Sequence, residues 1–219
     1  MRGKSKSVAN GDTITIHYSL FTILSPLSPT EVLMSKEIEL KFSATEAQLS
    51  QLRSHYGDFA VTEMATTYYD TPDRQLFAQK LTLRCRTENG RAVCTVKAPG
   101  SGLARGEWEC ENTDIQAALP ILCKLGAPKV LLSLPELTPV CGARFTRLSR
   151  LLALPDAKVE LALDRGVLLG SGRELPFCEV ELELKEGSEA SLVDLAKSIA
   201  KEFSLQPEPK SKFARAREL

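Results

Sequence analysis

Three residues of SKEIELKF, residues 35–42, carry groups able to do chemistry: Glu37, Glu39 and Lys41 occupy alternate positions, with Ile38, Leu40 and Phe42 as their apolar neighbours. In an extended strand alternate side chains share a face, so two carboxylates and an ammonium line one side. The arrangement recurs along the chain. Glu179, Glu181 and Glu183 alternate in CEVELELK, Glu160 shares a face with Asp164, Arg84 shares one with Arg86, and Lys97 follows Thr95. Carboxylate oxygens hold hard cations such as Mg2+ and Mn2+, while Arg and Lys donate to phosphate oxygens, Arg in bidentate fashion. Acidic and basic strands in one sheet therefore fit a ligand carrying both signs, such as a polyphosphate with divalent cations.

An antiparallel sheet with one solvated face accounts for the charges of any single strand. The segregation of sign over the whole chain is harder to explain that way, because separate strands present nearly pure acid or nearly pure base. If the sheet closes, the charged faces point inward, and about eight strands enclose room for one small ligand. Burial of unpaired charge costs several kcal/mol per ion, so such an interior requires facing charges, water or a ligand.

The chain has 219 residues, 43% hydrophobic and 26% charged, with 28 basic and 28 acidic side chains. This composition supports a packed core, and the zero net charge gives no overall attraction to nucleic acid or an anionic membrane. No apolar run approaches the roughly 20 residues of a membrane span. Six cysteines lie in apolar contexts with no C-x-x-C pair, which predicts reduced core thiols in a cytoplasmic protein. With only His17 and His55, a histidine metal site or a Ser-His-Asp triad is nearly excluded. Residues 1–33 precede the first charged strand and are expected to be an N-terminal extension, flexible or arising from a mispredicted start, with GDTITIHY as one isolated strand.

The positioning elements follow from local pattern. SATEAQLSQLRSHYG predicts a helix, with Ser43 and Glu46 at capping-box spacing and Gly57 at its end. TEMATTYYDTP reads as a strand ending in a turn, and the alternating runs around Asn89-Gly90 as a tight hairpin. GEWECEN is a further strand; a helix follows from a Thr113 cap, with Pro120 as a possible kink. RFTRLSRLLAL, AKVELALDRG and FCEVELELKEG read as three strands, GSEASLVDLAKSIAKEF as a helix, and KSKFARAREL as a basic tail. About eight strands and three helices without an internal repeat make a single α+β domain on a mostly antiparallel sheet.

The ordered set of short motifs resembles the CYTH family, the triphosphate tunnel metalloenzymes. It comprises E-I-E-L-K at 37–41, YYDTP at 68–72, L-R-C-R at 83–86, T-V-K at 95–97, R-G-E at 105–107, F-T-R at 145–147, V-E-L-A-L-D at 159–164, E-V-E-L-E at 179–183 and S-K-F-A-R at 211–215. The resemblance implies a domain over 34–219 folded as a closed eight-stranded, mostly antiparallel β-barrel tunnel with helices packed outside. The chain is most similar to the bacterial inorganic triphosphatases, without the C-terminal CHAD domain that many of them carry.

Carried over by position, the resemblance implies Glu37, Glu39, Glu179 and Glu181 as ligands of Mg2+ or Mn2+, and Lys41, Arg84, Arg86, Lys97, Arg147 and Lys212 as phosphate ligands, with Glu37, Glu39 and Lys41 closest to the chemistry. Arg105 and Glu107 match with an ambiguous register, Glu160 and Asp164 either hold a second metal or orient basic side chains, and Glu183 is read as simple sheet charge. The implied reaction cleaves inorganic triphosphate (tripolyphosphate) to diphosphate and phosphate. A class IV adenylate cyclase, a thiamine triphosphatase and a non-catalytic polyphosphate sensor are the alternatives. The partner is a small-molecule triphosphate rather than nucleic acid or membrane, in a monomer or homodimer.

Overall fold

The computed structural model describes residues 16–22, 34–99 and 105–219, and of residues 16–22, 34–37, 99 and 105 the backbone alone. In chain order the elements are β1 (Ile16–Thr22), β2 (Met34–Ser43), α1 (Glu46–Tyr56), β3 (Ala60–Asp70), α2 (Gln75–Ala78), β4 (Thr82–Glu88), β5 (Arg91–Pro99), β6 (Arg105–Glu111), α3 (Ile115–Lys124), a 3-10 turn (Lys129–Ser133), β7 (Thr138–Ala153), β8 (Ala157–Gly170), β9 (Arg173–Gly187), α4 (Glu189–Glu202), β10 (Gln206–Pro207) and α5 (Lys212–Arg217). The protein is α+β, and each described strand pairing is antiparallel.

One sheet runs in the order β1-β2-β9-β8-β7-β3-β4-β5-β6, with β10 added at β2. The eight-stranded closed barrel expected from the sequence is not what the ladders form. Nine strands lie on the path, and β1 and β6 are its two edges, joined by no ladder among the described residues. They nonetheless approach each other to within 8 Å between Cα atoms, so the sheet curls back on itself without hydrogen-bonded closure. The physical difference is β1: it occupies the free edge of β2, from Ile16 opposite Leu40 to Thr22 opposite Met34. It falls within the stretch expected to be an extension; residues 1–15 and 23–33 of that stretch lie outside the described residues.

The alternation read in the sequence becomes two faces. Ile38, Leu40 and Phe42 of β2, Val159, Leu161 and Leu163 of β8, and Val180 and Leu182 of β9 are buried against Leu49 and Leu52 of α1 and Leu192, Ala196 and Ile199 of α4. A second apolar layer packs Leu83, Cys94 and Val96 of β4 and β5 against Ile115, Ala118, Leu119 and Leu122 of α3. Both layers lie on the side away from the charged residues, as strand alternation demands. A smaller cluster lies on the charged side, where Ala216 and Phe213 of α5 meet Met64, Tyr68, Ala143, Phe145, Leu168 and Phe177. The six cysteines are free thiols. Burial raises the pKa of Cys94 well above the ordinary thiol value and that of Cys141 to about 12, so both are poor nucleophiles.

Helix α1 is capped by Thr45 and Gln48, not by Ser43 and Glu46. Both pairs have capping-box spacing, but Ser43 remains in β2, where it pairs with Glu179 and Gln206. Helix α3 starts from Asp114 rather than Thr113, with the Asp114 carboxylate accepting from Gln116 N and Ala117 N, and it carries Pro120 internally. Asn89 and Gly90 both take positive φ, 47° and 89°, as a tight hairpin requires. The basic tail is not a simple tail, since residues 212–217 form α5.

Close approach of β7 and β8 depends on Gly166. A Cβ there would fall 2.1 Å from the Arg144 carbonyl oxygen and 2.4 Å from Phe145 Cβ. Gly166→Ala should therefore cost about 1–3 kcal/mol of stability, the range for overpacking a tight site. A lowered urea midpoint is the expected result, and an unchanged one would show that the strands separate freely.

Candidate functional site

The ladder register sets the charged side chains in rungs. Glu39 lies opposite Glu183 and Glu183 opposite Glu160; Lys41 lies opposite Glu181; Glu179 lies opposite Asp164 and Asp164 opposite Arg147. Like charges placed directly opposite destabilise a sheet, so each acidic rung needs cations. Lys185 supplies one, with its ammonium 2.7 Å from Glu183 and 3.5 Å from Glu160.

The deepest rung is neutralised by three cations. Arg147 donates from Nε and Nη2 to the two oxygens of Asp164, both at 2.7 Å, and also pairs with Glu181. The Lys212 ammonium lies 2.8 Å from Asp164 and 2.7 Å from Glu181 and contacts Glu179 as well. Arg215 holds the other oxygen of Glu179. Asp164 and Glu179 are fully buried, at 0% exposure. The aromatic floor belongs to the same site: the Lys212 ammonium is 5.2 Å from the Phe145 ring and 5.5 Å from the Phe177 ring.

Burial alone would lower the pKa of Lys212 and of Arg147. The facing carboxylates override it in both, with Asp164 first, so both cations are held firmly charged. Burial pushes the carboxyl pKa values of Glu179 and Glu181 upward, but Glu181, set against Lys212 and Arg147, is held well below the usual carboxylate range. Glu179 is pushed up to about 7 by burial, with Glu181 adding to the rise and Lys212 and Arg215 opposing it.

A second charged group lies on β4, β5 and β6. Arg84 is 3.6 Å from Glu107 and from Glu109, Lys97 is 3.2 Å from Glu107, and Thr95 donates to Glu109 at 2.7 Å. Arg86 donates from Nε to Thr66 at 3.2 Å. Its pKa is lowered by burial and then by the neighbouring charge of Arg84, with Arg147 adding to the effect. Three guanidinium groups contributed by β4 and β7 thus share one side of the sheet.

The structure brings together most of the residues predicted from sequence. Glu39, Lys41, Arg84, Arg86, Lys97, Arg147, Glu179, Glu181 and Lys212 share the charged side, the last through α5. Glu37 lies on β2 opposite Ser19, and its side chain, like that of Arg105, is outside the described residues. Lys41 is buried and donates to the Lys210 carbonyl at 3.3 Å. Asp164 forms ion pairs with Arg147 and Lys212. Arg215, Phe145 and Phe177 were missed as site residues. The i, i+3 spacing of Lys212 and Arg215 was the available signal, because on a helix it places both on one face.

A CYTH domain matches residues 35–216. The chain belongs to the CYTH family. An inorganic triphosphatase of Haemophilus influenzae is 31% identical to this CYTH protein over 180 residues, covering 77% of this chain and 51% of the relative, so the chain spans about half the length of the curated relative it matches. Solved structures agree on the fold. A Hippeastrum adenylyl cyclase candidate with a dominant triphosphatase activity has a TM-score of 0.60 at 19% identity, covering 83% of this chain and 94% of its own. A Pyrococcus horikoshii protein has a TM-score of 0.56 at 21% identity, covering 83% and 98%.

Carboxylate oxygens of Asp164, Glu179 and Glu181 lie within 4.8 Å of one another, the donor type and spacing that a hard divalent cation takes. The donor set therefore fits a metal. Among the described residues no helix is long and apolar enough to cross a membrane.

Because the buried Asp164 neutralises Arg147 and the buried Lys212, Asp164→Ala should cost about 3–5 kcal/mol, the range for removing one partner of a buried pair. Asp164→Ala combined with Arg147→Met should recover part of that loss in a urea-unfolding double-mutant cycle. Strictly additive losses would contradict the coupling.

Proposed function

We propose that this CYTH domain hydrolyses a terminal phosphoanhydride bond of inorganic triphosphate, releasing phosphate and diphosphate, within the space enclosed by the curled sheet. The observation that carries the reading is the group of three guanidiniums, Arg84, Arg86 and Arg147, gathered on one side of the sheet, where burial and then the charges of its two neighbours lower the pKa of Arg86. Mutually repelling guanidiniums are relieved by a polyanion, and guanidinium matches phosphate oxygens in a bidentate way. The 31% identity to a triphosphatase over 180 residues supports the same choice of substrate.

In this reading Arg84, Arg86, Lys97 and Arg147 bind and align the phosphate chain, and Glu107 and Glu109 hold Arg84 and Lys97 in place through their ion pairs. Lys41 meets the phosphate from β2, anchored there by the Lys210 carbonyl. Glu37, Glu39, Glu179 and Glu181, with Asp164, would hold Mg2+ or Mn2+. Such an ion neutralises charge developing on phosphate oxygens and lowers the pKa of bound water. No protein nucleophile is needed. The buried Cys94 and Cys141 thiols, with raised pKa values, are unsuited to that role.

Purified protein with Mg2+ or Mn2+ should release phosphate from tripolyphosphate and stop doing so in excess chelator. Arg84→Ala should lower kcat/KM by about 100- to 1,000-fold, the loss typical of one preorganised donor to developing charge. Formation of cyclic AMP from ATP without phosphate release from tripolyphosphate would overturn the reading in favour of a cyclase, and binding without turnover would overturn it in favour of a sensor.

A further inference from the structure

Lys212 stands where a metal ion would stand. Its ammonium touches all three members of the Asp164, Glu179 and Glu181 trio, at 2.8 Å from Asp164 and 2.7 Å from Glu181. These are the carboxylates whose oxygens converge within 4.8 Å. Lys212 is only 8% exposed, with Phe145 and Phe177 behind it at 5.2 and 5.5 Å. The wedge between carboxylates and aromatic rings leaves the ammonium little room to move aside while its helix remains docked.

The charge count points the same way. Asp164, Glu179 and Glu181 face Arg147, Lys212 and Arg215, three negative against three positive. A divalent cation added to that balanced group would leave two uncompensated positive charges in a buried place, at a cost of several kcal/mol per ion. It would also have to sit at about 2.0–2.6 Å from oxygens already bonded to nitrogen. Departure of Lys212 frees those oxygens and halves the excess positive charge.

Helix α5 is built so that Lys212 can depart. It has six residues, starts from the Ser211 cap on Ala214 N, and is fastened by Lys212 and Arg215 to carboxylates and by Ala216 and Phe213 to a small apolar cluster. A helix this short has little stability of its own, so its position depends on those contacts.

We propose that Lys212 is a tethered cation that competes with divalent metal for the Asp164, Glu179 and Glu181 carboxylates, so that metal occupancy and full docking of α5 exclude each other. The metal-free protein is thereby held neutral and folded by its own helix, and metal binding loosens that helix. The inference rests on the assignment of metal to these carboxylates, and its test uses no substrate, so it fails or stands apart from the triphosphatase reading.

The test is a Mn2+ titration of the intact chain, with free Mn2+ followed by electron paramagnetic resonance, for the unaltered protein and for Lys212→Met. Removal of the competitor should add one bound Mn2+ per chain or tighten binding at least tenfold. Equal stoichiometry and affinity in the two proteins would overturn the proposal. Should Lys212→Met fail to fold, hydrogen exchange of the unaltered protein decides: faster exchange of the amides of residues 212–217 on Mn2+ saturation is the expected result, and unchanged or slower exchange overturns it.

Discussion

The organising constraint is the need to neutralise Asp164 and Glu179, two carboxylates removed from water on neighbouring strands. Without partners they would open the sheet, since an uncompensated buried charge costs several kcal/mol. Their partners come from far along the chain. Arg147 reaches across from β7, while Lys212 and Arg215 arrive on a helix that follows the last long strand. The ion group thus joins β7, β8, β9 and α5 on the inner side, while the apolar layer of α1 and α4 holds β2, β8 and β9 from the outer side. Strands β8 and β9 are fastened on both faces by different physics, and this permits a sheet to curl around a charged interior.

The alternation of charged and apolar residues made the two faces legible in the sequence. Glu37, Glu39 and Lys41 against Ile38, Leu40 and Phe42 already specify which side packs on helices, and Asn89-Gly90 already specifies a hairpin. What alternation does not encode is partner choice between distant strands. The pairing of β1 with β2, and the failure of β1 and β6 to form a ladder while lying side by side, depend on edge geometry set by the curl of all the strands between them.

Helix α5 was illegible for a related reason. Residues 212–217 are short and basic, and their local pattern is that of a solvated tail; they are ordered by carboxylates more than thirty positions earlier. The choice of Thr45 over Ser43 as cap has the same character, because the competing pairing of Ser43 with β9 and β10 is non-local. Resemblance to short family motifs selected Lys212 where spacing alone could not separate it from Lys210 and Arg217.

The central claim is that the inner, charged side of the curled sheet binds a polyphosphate between Arg84, Arg86 and Lys97 on one flank and Arg147 and Lys41 on the other. The most direct measurement is a crystal structure with tripolyphosphate and Mn2+, the metal being located by its anomalous scattering. The account predicts a phosphate chain in contact with those side chains and Mn2+ among the carboxylates of β2, β8 and β9. A phosphate chain on the outer face, or a cation remote from these carboxylates, would contradict it.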